Sequence, residues 1–159
     1  MIPDQMEKGS QVSTAEAGKA FVHRTAVSFS DTDAGGVVFF AKLFDLAHRA
    51  YEATLVAWRL PLRQILDAGT YALPIVSAAG EFKLPLRVGD ELQIGVTVER
   101  IAERSFGIRY EIARSNDEGT VVAAVVKTQH VAIDREEGRP ILLPAEVRSA
   151  LERPRSQSG

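Results

Sequence analysis

The sequence has no cysteine in its 159 residues. Disulfide cross-links, thiolate nucleophiles and Cys-ligated zinc are therefore excluded. It also lacks an excess of one charge: 19 Lys and Arg stand against 21 Asp and Glu, a formal net charge of −2. That excludes a strongly basic nucleic-acid binder, but not a local basic patch for a small anionic ligand. No apolar run reaches the length of about 18 residues that a membrane-spanning helix needs, so no membrane partner is expected. Residues 1–20 lack the apolar core of a signal peptide, which makes the cytoplasm the expected location.

What is there is globular. Hydrophobic residues make up 45% and charged residues 25%, enough for a core without covalent staples. Residues 1–20 and 152–159 are polar and small and are expected to be flexible tails around one folded domain, 21–151.

Five segments alternate or cluster in strand fashion: 21–30, 72–84, 91–101, 105–113 and 120–133. In the third, Leu92, Ile94, Val96 and Val98 face one way. In the fourth, Phe106, Ile108, Tyr110 and Ile112 do the same. The fifth is apolar on both sides, which points to a central position.

Between the first and second strands, Phe40, Leu43, Phe44, Ala47, Tyr51, Leu55 and Trp58 recur at spacings of three and four. That predicts one long amphipathic helix over 39–58, about 30 Å long at 1.5 Å per residue. A short helix is expected at Leu62–Ala68, stopped by Gly69. One helix about 10 Å wide cannot cover a flat sheet of five strands spaced about 4.8 Å apart. The sheet must curl around it, and the apolar area left over argues for self-association.

The segment most suggestive of chemistry is Asp31-Thr32-Asp33-Ala34-Gly35-Gly36-Val37-Val38-Phe39-Phe40. It sets two carboxylates and a Gly-Gly turn just before the long helix. A helix start carries free N–H groups and partial positive charge, and so can hold a developing oxyanion. A carboxylate beside it can attack a carbonyl or activate water. The same residues also suit an ordinary N-cap and turn, so local pattern alone leaves both readings open.

This segment, with His48-Arg49-Ala50-Tyr51-Glu52, Leu73-Pro74-Ile75-Val76 and Gly89-Asp90, closely resembles the 4-hydroxybenzoyl-CoA thioesterase family of hotdog-fold enzymes over about residues 22–134. His48–Glu52, Ala72-Leu73-Pro74 and Thr128-Gln129-His130-Val131 look like its 1,4-dihydroxy-2-naphthoyl-CoA thioesterase branch. Leu60-Pro61, Arg63-Gln64 and Pro74-Ile75-Val76-Ser77 look like the 4-hydroxybenzoyl-CoA enzymes. The resemblance implies an α+β fold in which a curled antiparallel five-stranded sheet wraps one long helix. It also implies dimers or tetramers with sites at subunit interfaces, and an acyl-CoA substrate with no separate cofactor, coenzyme A being part of the substrate.

The family's catalytic aspartate falls on Asp33, as nucleophile or general base. Its oxyanion donor falls on the backbone N–H of Phe40. Gly36 would let the thioester approach, and Asp31 is assigned a structural role, since two ionised carboxylates so close would raise each other's pKa. The chain departs from many relatives in carrying Lys42 for Asn and Phe39 for Tyr, which bears on the acyl pocket but not on the carboxylate or the helix start.

His48 and Ser77 are further candidates for substrate contact, Ser77 as a strand residue facing ligand or helix. Arg87, Arg100, Arg104 and Lys127 are candidates for the coenzyme A phosphates, with Arg104 in the turn that the resemblance favours. His23 and His130 have no partner at metal-binding spacing, so no metal is expected. Two other classes stay open: a hydratase, which needs a His that residues 31–40 do not supply, and a non-catalytic acyl-binding module.

Overall fold

A computed structural model describes residues 21–60 and 62–153. The expected tail 1–20 lies outside the described residues, as does most of 152–159; Glu152 closes a helix and Arg153 follows it.

The main sheet has five antiparallel strands: β1 (Phe21–Ala26), β3 (Ile75–Phe82), β4 (Glu91–Ile101), β5 (Ser105–Asn116) and β6 (Gly119–Val131). Their order is β1-β4-β5-β6-β3. A two-stranded sheet pairs β2 (Tyr71–Ala72) with β7 (Ile133–Asp134). The long helix α1 (Phe40–Ala57) lies on the main sheet, and α2 (Leu62–Ala68) and α3 (Ala145–Glu152) lie at one end of it. This is the hotdog architecture.

Period decides these elements. Leu43, Leu46, Ala47, Ala50, Tyr51, Thr54 and Leu55 form the buried stripe of α1. Facing it are Leu92, Ile94 and Val96 from β4, then Phe106, Ile108, Tyr110 and Ile112 from β5, all buried. Each such aliphatic or aromatic side chain contributes about 1.5–3 kcal/mol by leaving water. On β3, α1 comes close at Gly80, where a Cβ would lie 3.2 Å from Phe44 and 3.3 Å from Leu43. Glycine lets α1 sit against this strand.

Several boundaries differ from expectation. The first strand ends at Ala26, and Phe29–Asp31 turns as a 3-10 helix, fixed by the Ser28 N–H donating to Asp31 Oδ2 at 2.9 Å. The expected strand 72–84 is broken at Leu73-Pro74, since a proline carries no N–H for the ladder. Pro74 instead accepts from the Val131 N–H. The α3 helix was not expected; it buries Val147, Ala150 and Leu151, and Arg148 Nη2 donates to the carbonyl of Ala102 at 2.7 Å.

β3 is an edge strand, and all eight of its residues are exposed, Ile75, Val76 and Phe82 among them. Unpaired strand edges of this kind are templates for a further strand.

Candidate active site

The Asp33 turn is a three-residue hairpin loop. The Asp33 N–H donates to the Val37 carbonyl at 2.9 Å, and the Gly36 N–H donates to the Asp33 carbonyl at 3.0 Å. Thr32 and Val38 bridge beneath it. Gly36 takes the left-handed position at φ +77°, where a side chain would be strained. Val37 bridges Arg87, and the Val38 N–H donates to the Leu86 carbonyl at 2.8 Å, so the turn is tied to the segment before β4.

Asp33 is exposed. Its Oδ1 accepts from the Gly35 N–H at 2.8 Å, which aims the carboxylate. Among the described residues its Oδ2 has no partner. Asp31, two residues earlier, is the opposite case: it is 0% exposed. One oxygen is held by Ser28, and the other lies 3.7 Å from Arg49 Nη2 without a hydrogen bond. The Asp31 carbonyl accepts from the Phe39 N–H at 2.9 Å, immediately ahead of the helix. This bears out a structural role for Asp31.

α1 opens at Phe40 with Phe39 as N-cap, and no side chain caps it. In its first turn the Lys42 N–H donates to the Phe39 carbonyl at 2.8 Å, while the Phe40 and Ala41 N–H groups have no intrahelical acceptor by position, and the positive end of the helix dipole is open there. Phe40 itself is 62% exposed. Carboxylate and helix start belong to one short hydrogen-bonded loop. A small apolar cavity of about 200 Å³, lined by Val37, Val38 and Phe82–Leu86, adjoins it.

The remaining candidates lie elsewhere. His48 is on α1, about 12 Å along the axis from Phe40 at 1.5 Å per residue. Its Nε2 is 3.2 Å from Glu52 Oε1, and it lines a second cavity of about 230 Å³ with Tyr51, Leu62, Ile65, Leu66 and Ala72–Ile75. Arg104 is in the β4–β5 turn at that same end of the sheet, and its Nη1 donates to the Pro140 carbonyl at 3.3 Å.

Ser77 does not face the helix. A bulge at Val76 shifts the alternation, so that Ile75 pairs with His130 while Ser77 pairs with Gln129 on the outer face. Of the four cations considered for phosphates, Arg87 borders the Asp33 turn through Val37. Lys127 is paired with Glu99 at 3.2 Å. Arg100, beyond a bulge in β4, has no ion pair among the described residues.

One cluster was not foreseen. His130 is 0% exposed. It is stacked on Phe106 at 4.7 Å and lies 4.7 Å from Tyr51. Its Nε2 is 2.9 Å from Thr128 Oγ1, which is 3.3 Å from the Tyr110 hydroxyl; its Nδ1 is 3.4 Å from the Leu73 carbonyl. Burial above all pushes its pKa down to about 4; His48 adds to the shift and the Leu73 carbonyl opposes it. Burial also raises the Tyr51 and Tyr110 hydroxyls, and lowers His23 with help from Arg49. The sequence marked His130 only as a strand residue. Its signal was Thr128 and His130 at the two-residue spacing of one strand face. Among the described residues no group of three His, Asp or Glu is placed to hold a metal, and no helix is long and apolar enough to cross a membrane.

Residues 27–151 match the model of the Thioesterase-like superfamily. The 1,4-dihydroxy-2-naphthoyl-CoA hydrolase of Nostoc punctiforme is 37% identical over 133 residues, covering 84% of this chain and 87% of its own. That of Picosynechococcus is 37% identical over 134 residues, covering 83% and 92%. The crystal structure of a 1,4-dihydroxy-2-naphthoyl-CoA thioesterase from Synechocystis superposes with a TM-score of 0.76 at 32% identity, covering 82% of this chain and 94% of that one. The chain belongs to the thioesterase-like superfamily, and these relatives are thioester hydrolases.

Proposed function

We propose that the protein hydrolyses the thioester of an aromatic acyl-coenzyme A, with Asp33 as the reacting carboxylate and the Phe40 N–H as oxyanion donor. The observation that carries this is the uncapped start of α1 joined, through one hydrogen-bonded loop, to an exposed carboxylate. Asp33 either attacks the carbonyl carbon or takes a proton from a water that does. In the first case the C–S bond breaks, coenzyme A leaves as a thiolate that is then protonated, and water hydrolyses the mixed anhydride to acid and free Asp33. In both cases the negative oxygen of the tetrahedral state accepts from the helix start, where the dipole is already oriented. Gly36, with no atom within 4 Å of where a Cβ would sit, leaves the approach open.

The names of the relatives support an aromatic acyl group, 1,4-dihydroxy-2-naphthoyl in type; 4-hydroxybenzoyl is the alternative that the sequence resemblance offers. No cofactor takes part in this scheme, coenzyme A being part of the substrate.

The site is shared between two copies in this reading. α1 runs antiparallel to β3, so the Asp33 turn lies by the Phe82 end of the free edge and the His48 cavity by the Ile75 end. Antiparallel pairing of β3 with a second β3 about a two-fold axis brings Phe82 of one copy beside Ile75 of the other. The second copy then supplies Arg104 and the His48 cavity to the first copy's Asp33. A dimer is the smallest such assembly, and a tetramer pairs two of them.

Thiol release from 1,4-dihydroxy-2-naphthoyl-, 4-hydroxybenzoyl- and aliphatic acyl-CoA tests the reading. The aromatic thioesters are expected to turn over faster. Preference for the aliphatic ones, or tight binding without turnover of any, would contradict it.

A further inference from the structure

Arg49 stands in the third turn of α1, about 14 Å along the axis from Phe40 at 1.5 Å per residue. Helical side chains lean back toward the helix start. This one runs back past Asp45, to whose Oδ2 its Nη2 donates at 2.6 Å. The same Nη2 lies 3.7 Å from Asp31 Oδ1.

The two carboxylates that meet Arg49 are unlike. Asp45 is partly exposed, so water can stand in for its partner. Asp31 is fully buried; its Oδ2 accepts from the Ser28 N–H, and its Oδ1 has no hydrogen bond. A carboxylate removed from water needs a counter-charge. Among the described residues Arg49 is the one cation within 4 Å of it. His23 on β1 also faces Arg49, but burial first, and the Arg49 charge second, lower its pKa, so at pH 7 it is neutral and supplies no second counter-charge.

Asp31 therefore grips α1 at two points. Its carbonyl accepts from the Phe39 N–H at 2.9 Å, one residue before the helix, and its carboxylate meets Arg49. One attachment would let the 31–38 hairpin rock about Phe39; two fix its angle to the helix. The hairpin carries Asp33, and the helix carries the Phe40 N–H. The other ties of the hairpin, Val38 to Leu86 and Val37 to Arg87, run to the segment before β4 and not to α1.

We propose that Arg49 is a positioning residue for the reaction: by holding the buried Asp31 carboxylate it sets the Asp33 turn against the helix start, and with it the distance from reacting carboxylate to oxyanion donor. This rests on the thioesterase reading. A misplacement of about 1 Å in such a geometry can cost about a hundredfold in rate, so the effect falls on kcat and not on ground-state binding.

The test is kcat and KM for 1,4-dihydroxy-2-naphthoyl-CoA, read beside the melting temperature of each variant. Arg49→Met keeps the hydrocarbon stem and drops the charge. It is expected to lower kcat about tenfold or more, with KM within about twofold of the parent. Arg49→Lys should return most of the rate, since the contact to Asp31 is a single approach and not a two-pronged one. Asp31→Asn keeps an oxygen for the Ser28 N–H and loses the charge. It should lower kcat likewise, and adding Arg49→Met to it should cost little more. A pair that only stabilises the fold would lower the melting temperature and leave kcat at the parental value, and that result overturns the proposal. If Arg49→Met does not fold, Asp31→Asn carries the same test.

Amide hydrogen exchange reads the clamp without catalysis. In Arg49→Met the Phe39 N–H, held by Asp31, should exchange about tenfold or more faster than in the parent, and the Val38 N–H, held by Leu86, should change less. If the parent hydrolyses no thioester but this difference appears, the clamp stands and the thioesterase reading fails. Equal exchange of Phe39 in the two proteins overturns the clamp, whatever happens to the rate.

Discussion

Asp33 and His130 lie at opposite ends of the sheet, and their surroundings differ in kind. Asp33 is exposed, has one oxygen held by its own turn and one oxygen free, and stands by a helix start with unused donors. His130 is sealed between two aromatic rings, with both nitrogens engaged. A polar group that must react needs an unused lone pair and a route to the ligand. A polar group that must hold the fold needs the reverse, since a buried group without partners costs about 1–3 kcal/mol. By this measure Asp33 is the group free for the proposed reaction, and His130 joins β5, β6 and the Leu73-Pro74 break. Asp31 shows the same contrast within one motif: two residues from Asp33, it is fully buried and ties the turn to Arg49 on α1.

The comparison breaks most readily at His130. Replacing it by Ala removes a stacked ring and one of the two hydrogen-bond partners of the Thr128 hydroxyl, so a loss of about 3 kcal/mol is expected in urea unfolding. A loss no greater than that of a surface substitution would remove the structural role.

A smaller effect comes from acid. His130 titrates near 4 when folded and near 6.5 when free. Its contribution is complete above about 6.5 and is lost as pH falls toward 4, because the unfolded chain takes the proton first. The loss is at most about 3 kcal/mol at 1.36 kcal/mol per pKa unit. Unfolding curves between these pH values should show it in the parent and not in His130→Gln.

Gly36→Ala should cost about 1 kcal/mol, from backbone strain alone, since the space is empty. It should lower the rate as well if the turn aims the carboxylate. Phe40→Leu should alter kcat by no more than about twofold, because the backbone N–H is the donor. A large drop would mean that the ring itself touches substrate.

Much of this fold is written in burial period. The helix over 39–58 and the three long strands were legible because Leu43 to Leu55 and Leu92 to Ile112 bury one face. What the sequence hid was where period stops. Pro74 cuts one strand in two, and the bulge at Val76 turns Ser77 away from α1. The α3 stripe of Val147, Ala150 and Leu151 is too short to stand out. The Asp33 turn was legible because Gly36 and the helix start are local. The His48 cavity was not, because α1, α2 and the 72–75 segment meet only in the folded chain.

The most direct test is thiol release from 1,4-dihydroxy-2-naphthoyl-CoA by Asp33→Asn, measured beside its melting curve. The expected result is a rate lower by about a hundredfold or more, with a melting temperature like the parent's, since Asp33 is exposed. Hydrolysis at the parental rate by a folded Asp33→Asn protein would contradict the account.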